Sequence, residues 1–129
     1  MTSSRRALLV EDDPDVRRVV ERMLMGFGYD VRSESTVHAA LEALREPADL
    51  SLVLTDLDLP DGTGETVAQR ARAGGQGVVV LIMTGGMGIR GPSGVAPVLL
   101  KPFGASQLRQ AIAAAAHALH PGHGARKEL

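Results

Sequence analysis

The residues with the greatest chemical reach stand in short polar strings, each just beyond an apolar run. Glu11, Asp12 and Asp13 follow Ala7-Leu8-Leu9-Val10, while Asp56 and Asp58 lie past Leu52-Val53-Leu54. Thr84 follows Val78 through Met83, and Lys101 follows Val98-Leu99-Leu100. If those runs are parallel strands, the polar side chains meet on one rim, because open α/β sheets bind ligands beyond the carboxyl ends of their strands. Carboxylates crowded together are costly to ionise unless a cation sits among them. The natural cation is Mg2+, a hard ion that takes oxygen ligands and favours one or two carboxylates plus phosphate oxygens. A metal beside Asp56 would orient a phosphoryl donor and neutralise charge in the transition state, and Lys101 would add a second positive charge. Thr84 would then donate a hydrogen bond to a phosphoryl oxygen carried on Asp56, a new contact able to move the loop that follows.

The elements that must position these residues are legible in the spacing. Ala7 to Val10, Leu52 to Leu54 and Val78 to Met83 are unbroken apolar runs, as in strands buried on both faces. Val98 to Leu100 and a half-polar run from Tyr29 to Ser33 complete five strands, these two nearer an edge. Asp13 as N-cap and Pro14 at the first helical position open a helix. Val16, Val19, Val20, Met23, Leu24 and Phe27 recur on its apolar face, and Gly26 and Gly28 end it. A second helix is predicted from Thr36 to Arg45, capped by Ser35, and a third from Gly64 to Ala73 before Gly74-Gly75. A last one covers Ala105 to Leu119 and ends before Pro121. Strands alternating with helices predict an α/β, doubly wound, parallel sheet.

One helix of such an alternation is not expected. Only twelve residues separate Thr84 from Pro97, and they include Gly85, Gly86, Gly88, Gly91, Pro92 and Gly94. An average helix alone takes ~11–12 residues, and each interior glycine costs ~1 kcal/mol. A Gly-rich loop is predicted there in place of a full fourth helix. His120 to Leu129 reads as a flexible tail, so the folded domain is expected over residues 1–119.

Composition narrows the function classes. A chain of 129 residues has room for one domain of ordinary size, ~100–150 residues. Hydrophobic residues make up 44% but aromatics only 2%, so the core must be built from Val, Leu, Ile, Ala and Met. Fourteen basic and fifteen acidic residues are interspersed, giving a net charge of −1 and no basic stripe for a phosphate backbone; direct nucleic-acid binding is not expected. The absence of cysteine removes disulfides, thiolate metal sites and thiol nucleophiles. The apolar run after Arg5-Arg6 meets Glu11 too soon for a signal peptide or a membrane span, so a soluble, cytoplasmic protein is expected.

Four strings, taken together, resemble the receiver domains of bacterial response regulators and hybrid histidine kinases. They are Leu8-Leu9-Val10-Glu11-Asp12-Asp13-Pro14, Asp56-Leu57-Asp58-Leu59-Pro60-Asp61-Gly62-Thr63-Gly64, Met83-Thr84-Gly85 and Lys101-Pro102-Phe103. Each alone is weak, but four in order at the ends of successive strands are specific. The resemblance runs from about Arg6 to Leu119 and implies a flavodoxin-like sheet of order 2-1-3-4-5. It implies Asp56 as phosphoacceptor, Glu11 and Asp12 as the acidic pair, and Asp12 as a direct ligand of Mg2+. Asp58 would offer its backbone carbonyl to the metal, and Thr84 and Lys101 would contact the phosphoryl group. The donor would be a sensor histidine kinase or phosphotransfer protein, the recipient of the signal a downstream protein. Such a domain catalyses only its own phosphorylation and dephosphorylation. The chain is expected to be a single-domain regulator or a receiver excised from a hybrid kinase.

Three departures accompany the resemblance. The Gly-rich stretch stands where receivers carry a fourth helix. Val98 stands three residues before the lysine, where many members place a Tyr or Phe that rotates with the threonine. The Thr84-Gly85-Gly86 run is similar to a subgroup with a degenerate fourth helix, and Gly86 offers no side chain to orient an attacking water.

Plainer roles compete for several residues. Asp13 beside Pro14 is a helix cap before it is a metal ligand. Asp61-Gly62 after Pro60 is a turn sequence, and Asp58 alone would be a solvated charge. Gly86-Met87-Gly88-Ile89-Arg90-Gly91 matches a dinucleotide fingerprint, but Pro92 and Gly94 follow it and no ribose-binding acid lies downstream at the required spacing. A rival from another class is a Mg2+-dependent phosphohydrolase of the haloacid dehalogenase type, with an Asp nucleophile in an Asp-x-Asp string, then Thr, then Lys. Such enzymes supply further acids after the lysine, whereas here only Glu128 follows it and the acids precede Asp56.

Overall fold

A computed structural model describes residues 5–46, 49–74, 77–85 and 95–119. Along the chain run β1 (Arg5–Val10), α1 (Pro14–Gly26), β2 (Tyr29–Glu34), α2 (Val37–Arg45) and β3 (Leu50–Asp56). Then come β4 (Asp58–Leu59), β5 (Gly62–Thr63), α3 (Gly64–Gly74), β6 (Val79–Thr84), β7 (Val98–Leu100) and α4 (Ala105–Leu119). The main sheet has the order β2-β1-β3-β6-β7 with every neighbouring pair parallel, while β4 and β5 form a separate antiparallel ribbon. Without the ribbon this is the flavodoxin-like order 2-1-3-4-5 expected from the sequence.

Side-chain alternation explains the two layers of helices. Ala7, Leu9, Leu52, Leu54, Val79, Leu81 and Met83 face one way and pack with Val20 and Leu24 of α1 and Leu108 of α4. Leu8, Val10, Val53, Val80 and Ile82 face the other way, against Val37, Ala40 and Ala43 of α2 and Val67, Ala68 and Ala71 of α3. The three central strands are therefore apolar on both faces, which is why they read as unbroken runs. β2 and β7 are the edges, and apart from the buried Tyr29 their side chains are partly buried or exposed. Full burial of a Leu or Val stabilises by roughly 1.5–3 kcal/mol, and these two clusters fix the strand register that aligns the rim.

Local signals set the element ends. Asp13 Oδ1 accepts from the Asp15 and Val16 amides at 2.8 and 3.3 Å, with Pro14 opening α1 as predicted. The left-handed turn after that helix falls on Gly28, at φ +98°. α2 departs by one residue from expectation: Thr36, not Ser35, is the N-cap, in extended conformation, and its Oγ1 accepts from Ala39 N at 3.0 Å. At α4, Gly104 N donates to Gln107 Oε1 at 2.7 Å, the reach-back half of a capping box. The expected Gly-rich loop falls largely on residues 86–94, and the expected tail on 120–129; both lie outside the described residues.

Candidate functional site

Parallel strands in register bring the predicted polar residues to one edge. Thr55 of β3 pairs with Val10 of β1, and Asp56 pairs with Met83 of β6. Glu11 therefore lies just past β1 beside Asp56, and Thr84 one residue beyond the partner of Asp56. Backbone bonds lock the ends: Glu11 N donates to Glu34 O at 3.0 Å, Leu57 N to Met83 O at 2.8 Å, and Lys101 N to Thr84 O at 2.9 Å. The last bond carries Lys101 off β7 and over the acids.

The result is a buried charge cluster. Glu11 is 1% exposed, Asp56 6% and Thr84 3%, whereas Asp12 is exposed. Lys101 Nζ lies 3.0 Å from Glu11 Oε1 and 3.3 Å from Asp56 Oδ1. The other Glu11 oxygen accepts from Asp13 N at 3.1 Å, so this buried carboxylate is satisfied on both sides. Burial, reinforced by the charge of Glu11, pushes the Asp56 carboxyl up to about 6 against the pull of Lys101. For Lys101, burial works against the charged form, but the hydrogen bond to Glu11 and the charges of Asp56 and Glu11 outweigh it and raise the pKa.

This donor set suits a hard divalent cation. Glu11, Asp12 and Asp56 each bring a carboxylate oxygen within 4.8 Å of the others. Three carboxylates against one ammonium leave a formal charge of −2, and every prospective ligand atom is oxygen. Asp13 stays outside the cluster as a helix cap, in keeping with its plainer role. Asp58 sits two residues past Asp56 in β4 with its side chain exposed, so only its backbone is suited to the rim.

Residues outside the predicted site also shape the rim. A Cβ at Gly64 would lie 2.0 Å from the Asp56 carbonyl oxygen and 2.8 Å from Thr55 Oγ1, so glycine alone lets α3 start against the end of β3. Arg17 Nη1 donates to the Glu11 carbonyl at 3.0 Å, bracing the acidic string from α1. Asp61 does more than turn the chain, since its carboxylate accepts amide bonds from the start of α2. A strand-to-helix step at Thr63-Gly64 hints at the Gly64 contact, and Asp61 is marked in the sequence only as a turn residue; no sequence signal marks Arg17, and the partners of both are set by tertiary packing. The acids that meet Asp56 both precede it, the reverse of the hydrolase arrangement.

Comparison with known proteins agrees with this geometry. Residues 7–113 match the family described as response regulator receiver domain. The chain is 36% identical over 104 residues to the response regulator receiver protein CpdR of Brucella abortus, covering 77% of this chain and 86% of that one. It is 46% identical over 68 residues to the response regulator protein PilR of Pseudomonas aeruginosa, covering 52% of this chain but only 15% of PilR. Among solved structures, a response regulator receiver protein from Sinorhizobium medicae superposes with a TM-score of 0.79 at 25% identity, over 92% of this chain and 98% of that one.

Proposed function

The chain belongs to the response regulator receiver domain family, and from that premise we propose that Asp56 accepts a phosphoryl group and thereby switches binding to a downstream protein. A receiver domain is a phosphorylation switch rather than an enzyme. The observation that carries the assignment of Asp56 is its place in the buried cluster, within 3.3 Å of Lys101 and beside Glu11 and Asp12. Its carboxyl is buried and drawn upward in pKa, which makes its oxygen more basic and a better nucleophile.

Glu11, Asp12, Asp56 and the Asp58 carbonyl would hold Mg2+, which when bound supplies positive charge against the phosphoryl oxygens. Lys101 neutralises a further oxygen, and its double tether to Glu11 and Asp56 keeps it in reach. Thr84, buried at the end of β6, donates its hydroxyl to the phosphoryl group and reports phosphorylation to the segment that follows. Val98 leaves no aromatic ring to rotate, so the relay runs through the stretch from Gly85 to Ala96, whose glycines suit the subgroup with a degenerate fourth helix. The donor is a sensor histidine kinase or phosphotransfer protein. The 86% coverage of CpdR, itself a receiver protein, supports reading the folded unit as one receiver domain of a CpdR-like regulator. No helix among the described residues is long and apolar enough to cross a membrane.

Intact-mass measurement after incubation with a small phosphodonor and Mg2+ tests the proposal. The wild type should gain one phosphoryl group and Asp56→Asn none. No gain in the wild type, or an equal gain in the variant, would sink it, and repeated turnover of a phosphate ester would point instead to the phosphohydrolase.

A further inference from the structure

Asp61 stands at the tip of the β4–β5 ribbon, and its carboxylate straddles the first turn of α2. Oδ1 accepts from the Val37 amide at 2.7 Å and Oδ2 from the His38 amide at 2.9 Å. Thr36 Oγ1 takes the Ala39 amide at 3.0 Å. A helix start leaves four amides without intrahelical partners, and here two of them are served by a residue more than twenty positions away. The amide bonds from His38 and Val37 hold the Asp61 carboxyl below its usual range. Packing reinforces the contact. Gly62 has φ +156°, and a Cβ there would come 3.3 Å from Val37 Cγ2; Leu59 is buried in the same cluster as Val37 and Ala40.

The other end of the ribbon is fixed independently. Gly64 N donates to the Leu57 carbonyl at 2.7 Å, and Asp58 pairs with Thr63 across the ribbon. Asp58 is thus suspended between a root anchored at Asp56 and Gly64 and a tip bonded to α2. A backbone carbonyl is a stronger ligand where its peptide is already held, because any freedom must be surrendered on binding.

We propose that Asp61 is a positioning residue for the cation-binding rim: its two-pronged bond to α2 holds the ribbon that presents the Asp58 backbone. The inference deepens the function proposed above and rests on it for the identity of the ligand. α2 itself retains the Thr36 cap without Asp61, so a purely structural role and a positioning role have different signatures.

The test titrates Mg2+ by calorimetry into the wild type, Asp61→Ala and Thr36→Ala, with amide hydrogen exchange measured on each. Thr36→Ala weakens the same helix start without releasing the ribbon. Asp61→Ala should bind Mg2+ about tenfold more weakly, the scale typical of outer-shell partners, and its amides over residues 58–64 should exchange faster. Thr36→Ala should stay near wild type in both. Unchanged affinity in Asp61→Ala, or an equal loss in Thr36→Ala, overturns the proposal. If Asp61→Ala does not fold, Asp61→Asn, which keeps one acceptor oxygen, carries the same comparison. Wild-type protein that binds no Mg2+ would overturn the function proposed above, whereas unchanged exchange over residues 58–64 would overturn the clamp alone, so the two failures are distinguishable.

Discussion

Replacing Asp56 by Asn should make the metal-free protein more stable at neutral pH, even though it removes a partner of Lys101. Burial and the neighbouring Glu11 raise the Asp56 pKa from 3.8 to about 6. In the unfolded chain this carboxyl loses its proton first as pH rises. Between about 4 and 6 the folded state therefore holds more protons, stability falls with rising pH, and the penalty is complete above about 6. At about 1.4 kcal/mol per pH unit the penalty approaches ~3 kcal/mol, and the site is too buried for solvent to screen it away. Part of the desolvation cost applies to an amide as well, so the expected gain is about 1–3 kcal/mol. For a domain of this size that is a rise of about 4–12 °C in Tm. Thermal unfolding followed by circular dichroism, in chelator at pH 7.5 and again near pH 4, measures it. The gap should be present at pH 7.5 and close toward pH 4. Adding Mg2+ should stabilise the wild type more than the variant, by about 2.7 kcal/mol at a hundredfold excess over Kd. A variant equal to or less stable than wild type at pH 7.5 without metal would refute the claim that Asp56 is held ionised at a cost.

Other perturbations separate the parts of the rim. Gly64→Ala puts a Cβ 2.0 Å from the Asp56 carbonyl; unfolding in urea should show a loss of about 3 kcal/mol or more, on the scale of severe overpacking, together with loss of Mg2+ binding. Lys101→Ala leaves Glu11 and Asp56 facing each other without an ammonium, and should cost up to about 3 kcal/mol in urea at pH 7, less near pH 4. Thr84→Ala should keep phosphorylation of Asp56 by intact mass but lose the phosphorylation-dependent change in hydrogen exchange at the end of β6; a full response in that variant would remove Thr84 from the relay.

The strands and the main rim residues are legible because each depends on short-range pattern, whereas the sheet order is implied by the family resemblance. Leu52 to Leu54 could only be buried on both faces, and a parallel sheet then delivers Asp56 to the same edge as Glu11 and Lys101. Thr36 caps α2 although Ser35 is the better cap type in isolation. The distant Asp61 carboxylate, serving Val37 and His38, goes with a start at Val37 and Thr36 as the cap. The sequence marks Gly64 only as the start of a helix, since its contact with the strand end exists only once β3 and α3 are packed. Long-range side-chain to backbone bonds, such as Arg17 to the Glu11 carbonyl, have no periodicity to betray them.

The energetics of the cluster bear on why it is built from more acid than base. One ammonium shared between Glu11 and Asp56 holds two buried carboxylates in place without fully compensating them. Had further lysines balanced the charge, the rim would be content in isolation, and a divalent ion or a phosphoryl group would have to displace a formed ion pair to enter. The formal excess of −2 does the opposite, so cation binding relieves a standing repulsion. Glu11, at 1% exposure, keeps its hold on Lys101 from one oxygen and on the Asp13 amide from the other. On the proposed function, that hold would retain the lysine over the rim when Asp56 is phosphorylated. The tether through Glu11 would then let a single ammonium serve the unmodified carboxylate before transfer and the phosphoryl oxygens after it.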